Sequence, residues 1–166
     1  MINFIVFLPL IGFFYCSLLG HYTSDRQAQF FSTLLLFISA IFSWIIFIEY
    51  LLGKETEIVY LINWITSGSF SVDWSLRLDS LTATMLVVVT TVSACVHLYS
   101  VGYMSKDKSI KRFMGYLSLF TFFMLILVTS NNLLQMFFGW EGVGLASYLL
   151  IGFWYHKDTA NKAAMK

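Results

Sequence analysis

Glu141 is the one formally charged residue between Phe113 and His156, and apolar side chains dominate on both sides of it. A carboxylate at bilayer depth costs roughly 2.5–3.5 kcal/mol on insertion scales, so such a group faces a protein interior or water. The chemistry open to it there is binding or passing a cation. A buried carboxylate with a movable Lys or Arg partner has its proton affinity set by that partner, which suits loading and release near neutral pH. The plainer alternative is a Glu that pairs with a neighbouring helix and only fixes packing. His97, in SACVHLYSVGYM, is the second candidate, because small environmental shifts carry an imidazole across neutrality. Ser93 and Thr90 precede it by four and seven residues, the spacing of one helix face and of a short proton wire. Its plainer alternative is a neutral histidine bonded to a backbone carbonyl.

On a helix, Glu141 neighbours Phe137, Phe138, Gly144 and Leu145. Gly139, Gly142, Gly144 and Ala146 remove bulk nearby, which lets another helix approach or leaves room for a water chain. No Lys or Arg lies inside a span. The expected cationic partner is therefore beyond residue 166 or on another chain.

The elements that must position these groups are membrane helices. The chain is 58% hydrophobic and 11% charged, against about 25% charged for a soluble domain. Apolar stretches long enough to cross a bilayer predict an all-α polytopic membrane protein of about five spans. These fall near residues 3–20, 29–52, 79–101, 113–129 and 133–155. Ser130-Asn131-Asn132 divides the last long tract, since Ser and Asn side chains favour turns. Met1-Ile2-Asn3-Phe4 has no basic region of the kind that opens a signal peptide. Cys16 and Cys95 lie in apolar runs and act as small hydrophobes. There is no CxxC, no Cys/His cluster and no phosphate-binding glycine loop, and the net charge of +1 gives no basis for nucleic-acid binding.

Between the second and third spans, Phe70, Val72, Trp74, Leu76 and Leu78 alternate with Ser71, Asp73, Ser75 and Arg77. That period of two, after the β-rich IVYLINWI and the turn Ser67-Gly68-Ser69, predicts a small surface β-hairpin, with an irregular loop as the alternative. Arg77 and Asp79 stand at the mouth of the third span as a candidate pair, and Glu49 lies where it can reach water. The five tryptophans suit an interfacial belt, with Trp140 alone deep enough to shape the Glu141 site. Arg26, Lys106, Lys108, Lys111, Arg112, Lys157, Lys162 and Lys166 fall on one side, against Lys54 and Arg77 on the other. The positive-inside rule then places the N-terminus outside. Ala160–Lys166 reads as the opening of another helix, so a longer chain is expected.

NNLLQMFFGWEGVGLASYLLIGFWY, from Asn131, resembles the signature of the NADH-quinone oxidoreductase subunit L family. These are antiporter-like membrane-arm subunits of respiratory complex I, called subunit 5 in mitochondria. RLDSLTATMLVVVTTVSACVHLYSVGYM from Arg77, FLPL near the start and the final AAMK are similar to that family too, so the resemblance covers essentially the whole chain. Asn131 stands where the family has an acidic residue. The resemblance implies an N-terminal part, residues 1–166, of a proton-translocating domain with the family's membrane glutamate at Glu141. It implies no cofactor in this chain, with flavin, iron–sulfur clusters and quinone on partner subunits. The implied partners are other complex I membrane-arm subunits and the lipid bilayer. The implied location is a bacterial inner membrane or, alternatively, the mitochondrial one. The homologous subunit of a multisubunit Na⁺/H⁺ antiporter and a non-transporting assembly protein stay open as alternatives.

Overall fold

Apolar runs become helices here, and polar caps decide where they begin. The computed structural model describes residues 1–20 and 22–166. His21, in the first expected loop, lies outside the described residues. The order is α1 (Ile2–Leu18), α2 (Asp25–Leu51), β1 (Glu57–Ser67), β2 (Phe70–Leu78), α3 (Ser80–Tyr103), α4 (Ile110–Thr129), α5 (Leu133–Ile151) and α6 (Asp158–Ala164). Helices α2 to α5 are long and apolar enough to cross a membrane. At 17 residues, α1 is at the short end of that range.

The starts follow from side-chain oxygens that accept otherwise unpaired N–H groups. Ser24 and Gln27 form a reciprocal capping box, so α2 begins at Asp25, earlier than the expected residue 29. Asp79 caps α3 by accepting from the Thr82 N–H at 2.8 Å. Asn132 does the same for α5 through the Gln135 N–H at 2.9 Å. Helix α4 starts at Ile110 rather than near Phe113, and its basic first turn reaches back into the loops. Lys111 donates to the carbonyls of Gly20 and Thr23 at 3.0 and 2.7 Å and pairs with Asp25 at 3.2 Å. Helix α5 ends at Ile151 rather than near Tyr155, and the Arg112 guanidinium donates to the Phe153 carbonyl in the turn that follows.

Pro9 sits inside α1 and leaves the Ile5 carbonyl without its usual helical donor. Ser39 of α2 donates its hydroxyl to that carbonyl at 2.9 Å, in a buried setting. Borrowed hydroxyls of this kind are what make proline tolerable in a membrane helix.

Helix α4 is the centre of the bundle, packing against α1, α2, α3, α5 and β2. The main core joins Ile5 and Val6 of α1, Ile46 of α2, Leu76 of β2, Leu86 of α3 and Leu125 of α4. Lipid tails are as apolar as these side chains, so packing and interhelical hydrogen bonds must supply the specificity. Buried Ser39, Ser118 and Thr121 supply such bonds between helices.

The expected hairpin is present: the strands pair antiparallel from Glu57↔Leu78 to Ser67↔Phe70, with register shifts near Leu61 and Trp64. Gly68 takes a φ of +59° at the tip, a conformation glycine adopts without a Cβ penalty. The hairpin is fastened down at several points. Asn131 donates to the Ser75 hydroxyl and Asn132 to the Asp73 carbonyl, while the Gln135 side-chain oxygen accepts from the Ser75 N–H. Trp64 and Trp74 stack edge-on against Phe138 of α5, and the Tyr50 hydroxyl donates to the Leu78 carbonyl. Arg77 and Asp79 pair at 3.2 Å, and Lys54 bridges Glu49 and Glu57. The hairpin and the α4–α5 turn therefore share one end of the bundle. The basic residues Lys111 and Arg112 lie at the other.

Candidate functional site

Glu141 lies near the middle of α5, roughly 12 Å along the helix from its first residue at 1.5 Å per residue. The side chain is exposed, not enclosed by the other helices of this chain. Its surroundings on α5 are Phe137, Trp140, Leu145 and Tyr148, all exposed as well. Among the described residues it forms no ion pair. The group stands on the open side of α5, in keeping with an expected partner beyond residue 166 or on another chain. Helix α5 makes its substantial helix contacts with α4 and, at its end, α6.

The small residues divide by face. Gly139, Gly142 and Ala146 are buried with Gln135, at the spacing of one ridge. A Cβ on Gly139 would lie 2.8 Å from the backbone of Leu127, and one on Gly142 would lie 2.1 Å from the Phe123 ring. Their smallness therefore brings α5 against α4 and does not clear space around Glu141, because they point the other way. Gly144, one turn after Glu141, has nothing within 4 Å of a built Cβ and keeps the open face thin.

His97 is fully buried between α3 and α4. Its Nδ1 lies 2.9 Å from the Ser93 carbonyl and its Nε2 lies 3.1 Å from the Ser118 hydroxyl. A carbonyl only accepts, so Nδ1 carries a proton. In the neutral ring Nε2 is then the acceptor, and Ser118 donates to it. Protonation at Nε2 would reverse that bond and turn the hydroxyl round. Ser118 and His97 thus form a hydrogen-bonded pair across the α3–α4 interface.

The wire expected along α3 takes a different course. Thr90 donates to the Leu86 carbonyl on its own helix at 2.7 Å, the usual fate of a mid-helix hydroxyl. Ser93 meets His97 through its carbonyl, while its hydroxyl lies 2.9 Å from Thr121 of α4. The polar contacts therefore cross the α3–α4 interface. Ser118 and Thr121 are the residues sequence reasoning missed, although their spacing of three in FMGYLSLFTFF puts both on one face of α4. Glu141 and His97 are not brought together, since α4 stands between their helices.

The tryptophans also separate. Trp44 donates to Thr91 of α3 at 3.2 Å and so ties α2 to α3. Trp140, beside Glu141, is 66% exposed. No group of three or more His, Cys, Asp or Glu suited to a metal occurs among the described residues.

Comparison with known proteins agrees with this architecture. The family model described as NADH-ubiquinone oxidoreductase (complex I), chain 5 N-terminus, matches residues 64–114. That described as NADH:quinone oxidoreductase/Mrp antiporter, TM, matches residues 130–166. NADH-ubiquinone oxidoreductase chain 5 of Chondrus crispus is 53% identical over 98% of this chain and 24% of its own length. NADH-quinone oxidoreductase subunit L of Rhodobacter capsulatus is 51% identical over 100% of this chain and 24% of its own. The chain thus spans about a quarter of the length of the curated relatives it matches. A chain of the membrane-bound sulfane sulfur reductase, an archaeal respiratory membrane complex, superposes with a TM-score of 0.84. It covers 99% of this chain and 32% of the other at 16% identity, a likeness of fold. The chain belongs to the family of NADH-quinone oxidoreductase subunit L and NADH-ubiquinone oxidoreductase chain 5.

Proposed function

We propose that residues 1–166 form the N-terminal part of a proton-translocating subunit of an NADH:quinone oxidoreductase, with Glu141 as a proton carrier. One observation carries this reading: a lone carboxylate stands mid-span on the least covered of the four long apolar helices. Facing lipid there would cost about 2.5–3.5 kcal/mol on insertion scales. The open face of α5 is therefore where further membrane segments, or a neighbouring subunit, enclose Glu141 and supply a cation. The neighbour's charge then sets whether the carboxylate holds its proton. His97 and Ser118 supply a second exchange point across α3 and α4. Redox chemistry belongs to partner subunits carrying flavin, iron–sulfur clusters and quinone, and this chain contributes the proton path. Moving one charge against the membrane potential takes about 2.3 kcal/mol per 100 mV, which the redox reaction must deliver as altered charge near Glu141. The membrane is a bacterial inner membrane or its mitochondrial equivalent.

The test is Glu141→Gln in the full-length subunit within its assembled complex. Proton pumping coupled to NADH oxidation is expected to fall sharply while assembly persists. An unchanged proton-to-electron ratio refutes the carrier role. Altered assembly with intact pumping identifies a packing residue.

A second reading rests on the description of the family matched at residues 130–166, which also names the Mrp antiporter. On that reading the same carboxylate serves Na⁺/H⁺ exchange. Proton flux that follows a sodium gradient and ignores NADH would select it.

A further inference from the structure

A cavity of about 710 Å³ opens between α2 and α3 at the basic end of the bundle. Its walls are Phe30, Leu34 and Phe37 of α2 with Leu98 and Val101 of α3. Its volume is that of a small-molecule site, about 300–1,000 Å³. Two polar groups break the apolar lining. Gln29 is buried and donates to the Val101 carbonyl at a long 3.4 Å. Thr33 is 8% exposed, and its hydroxyl has no hydrogen-bond partner among the described residues. A mid-helix threonine normally bonds the carbonyl one turn back, so an unpartnered hydroxyl in a cavity wall is an unmet demand for a ligand oxygen or water. Arg26 stands at the mouth, exposed and without an ion pair among the described residues. Ser105 closes the opposite rim, and Lys106 follows it, also exposed.

We infer that the α2–α3 cavity is a binding site for one anionic phospholipid, its acyl chain along Phe30, Leu34, Phe37 and Leu98 and its phosphate on Arg26. Both helices are long and apolar enough to cross a bilayer, so a groove between them that no further protein segment covers is filled by lipid. The basic loops place the mouth at the inner leaflet by the positive-inside rule. Basic pockets between membrane helices on that side select anionic head groups. The cavity is also separate from the Glu141 face, since α5 packs on α4 and away from α2 and α3.

The experiment uses the complete subunit in its complex, held in nanodiscs with a trace of diacyl lipid bearing a photoreactive acyl chain. Phosphatidylglycerol and phosphatidylcholine probes are compared, and the crosslinks are mapped by mass spectrometry. The phosphatidylglycerol probe is expected to label 29–37 and 98–105 about fivefold more than the phosphatidylcholine probe, the factor one surface cation provides. Arg26→Gln should remove that preference, and Leu98→Trp should fill the groove and remove both labels. Equal labelling by the two probes means ordinary boundary lipid and overturns the inference. So does a preference unchanged in Arg26→Gln. Labelling elsewhere on the complex but not here means that protein covers the groove, and overturns it too.

Discussion

Helices α4 and α5 are neighbours of nearly equal length, 20 and 19 residues, drawn from one apolar tract, yet they meet opposite fates. Helix α4 is packed by four other helices, and the polar side chains in its middle, Ser118 and Thr121, are hydroxyls that find partners on α3. Helix α5 gives one ridge of small residues to α4 and leaves its other side open, and on that side it carries a carboxylate. Hydroxyls serve packing because each satisfies itself with one bond. A carboxylate demands a cation, several donors or water, and none of the described residues meets that demand at Glu141. The difference separates a helix that holds the bundle together from one that presents a reactive group to something else.

The contrast breaks most visibly if Glu141→Gln leaves pumping intact, since α5 would then carry its charge for packing alone. The same substitution should leave the stability of the isolated bundle nearly unchanged, because the side chain touches no partner in it.

Gly139→Ala should act the other way, on structure before transport. The added methyl meets the Leu127 backbone at 2.8 Å, and overpacking of this kind costs about 1–3 kcal/mol. A lower Tm for the purified complex is the expected result. Gly144→Ala, on the open side, should change Tm little. Equal effects at the two glycines would show that α5 has no distinct faces.

Ser39→Ala should be milder, because it removes one interhelical bond. Such bonds average about 0.6 kcal/mol in membrane proteins. The effect should vanish in a Pro9→Ala background, where the helix supplies its own donor to Ile5, and a double-mutant cycle measures that coupling. The smallest effect lies in the loop. The Ser109 N–H and the Trp154 indole N–H hold the Asp107 carboxyl below the ordinary carboxylate range. Its stabilisation is therefore fully present above that ordinary range and is lost as pH falls through the lowered value. The protection factor of the Ser109 amide, that is, its exchange relative to the intrinsic rate at each pH, should fall on acidification in the native chain. In Asp107→Asn that pH dependence should be absent.

Much of the frame was legible because it depends on local chemistry. Ser130-Asn131-Asn132 marked a turn, and Asn132 proved to be the cap of α5. The alternation from Phe70 to Leu78 marked a strand, and Ser67-Gly68-Ser69 its turn. Contacts between segments far apart in the chain were not legible in this way. Periodicity says which residues share a face, but it does not say which face meets which helix. Gly139 and Gly144 look alike in the sequence, yet one touches Leu127 and the other touches nothing nearby. His97 was marked as a candidate by its chemistry, while its partner Ser118 comes from another helix 21 residues away. Ser39 could not be matched to Pro9 before α1 and α2 were placed side by side.

The fastening of the hairpin has a mechanical consequence for α5. Asn131, Asn132 and Gln135 clamp its outer end to β2, and Arg112 grips the Phe153 carbonyl beyond its inner end. A rod tied at both tips resists sliding or swinging to follow a changing charge. Spin labels on α4 and α5 should therefore keep a constant separation through turnover, and whatever moves during transport must move towards this stationary post.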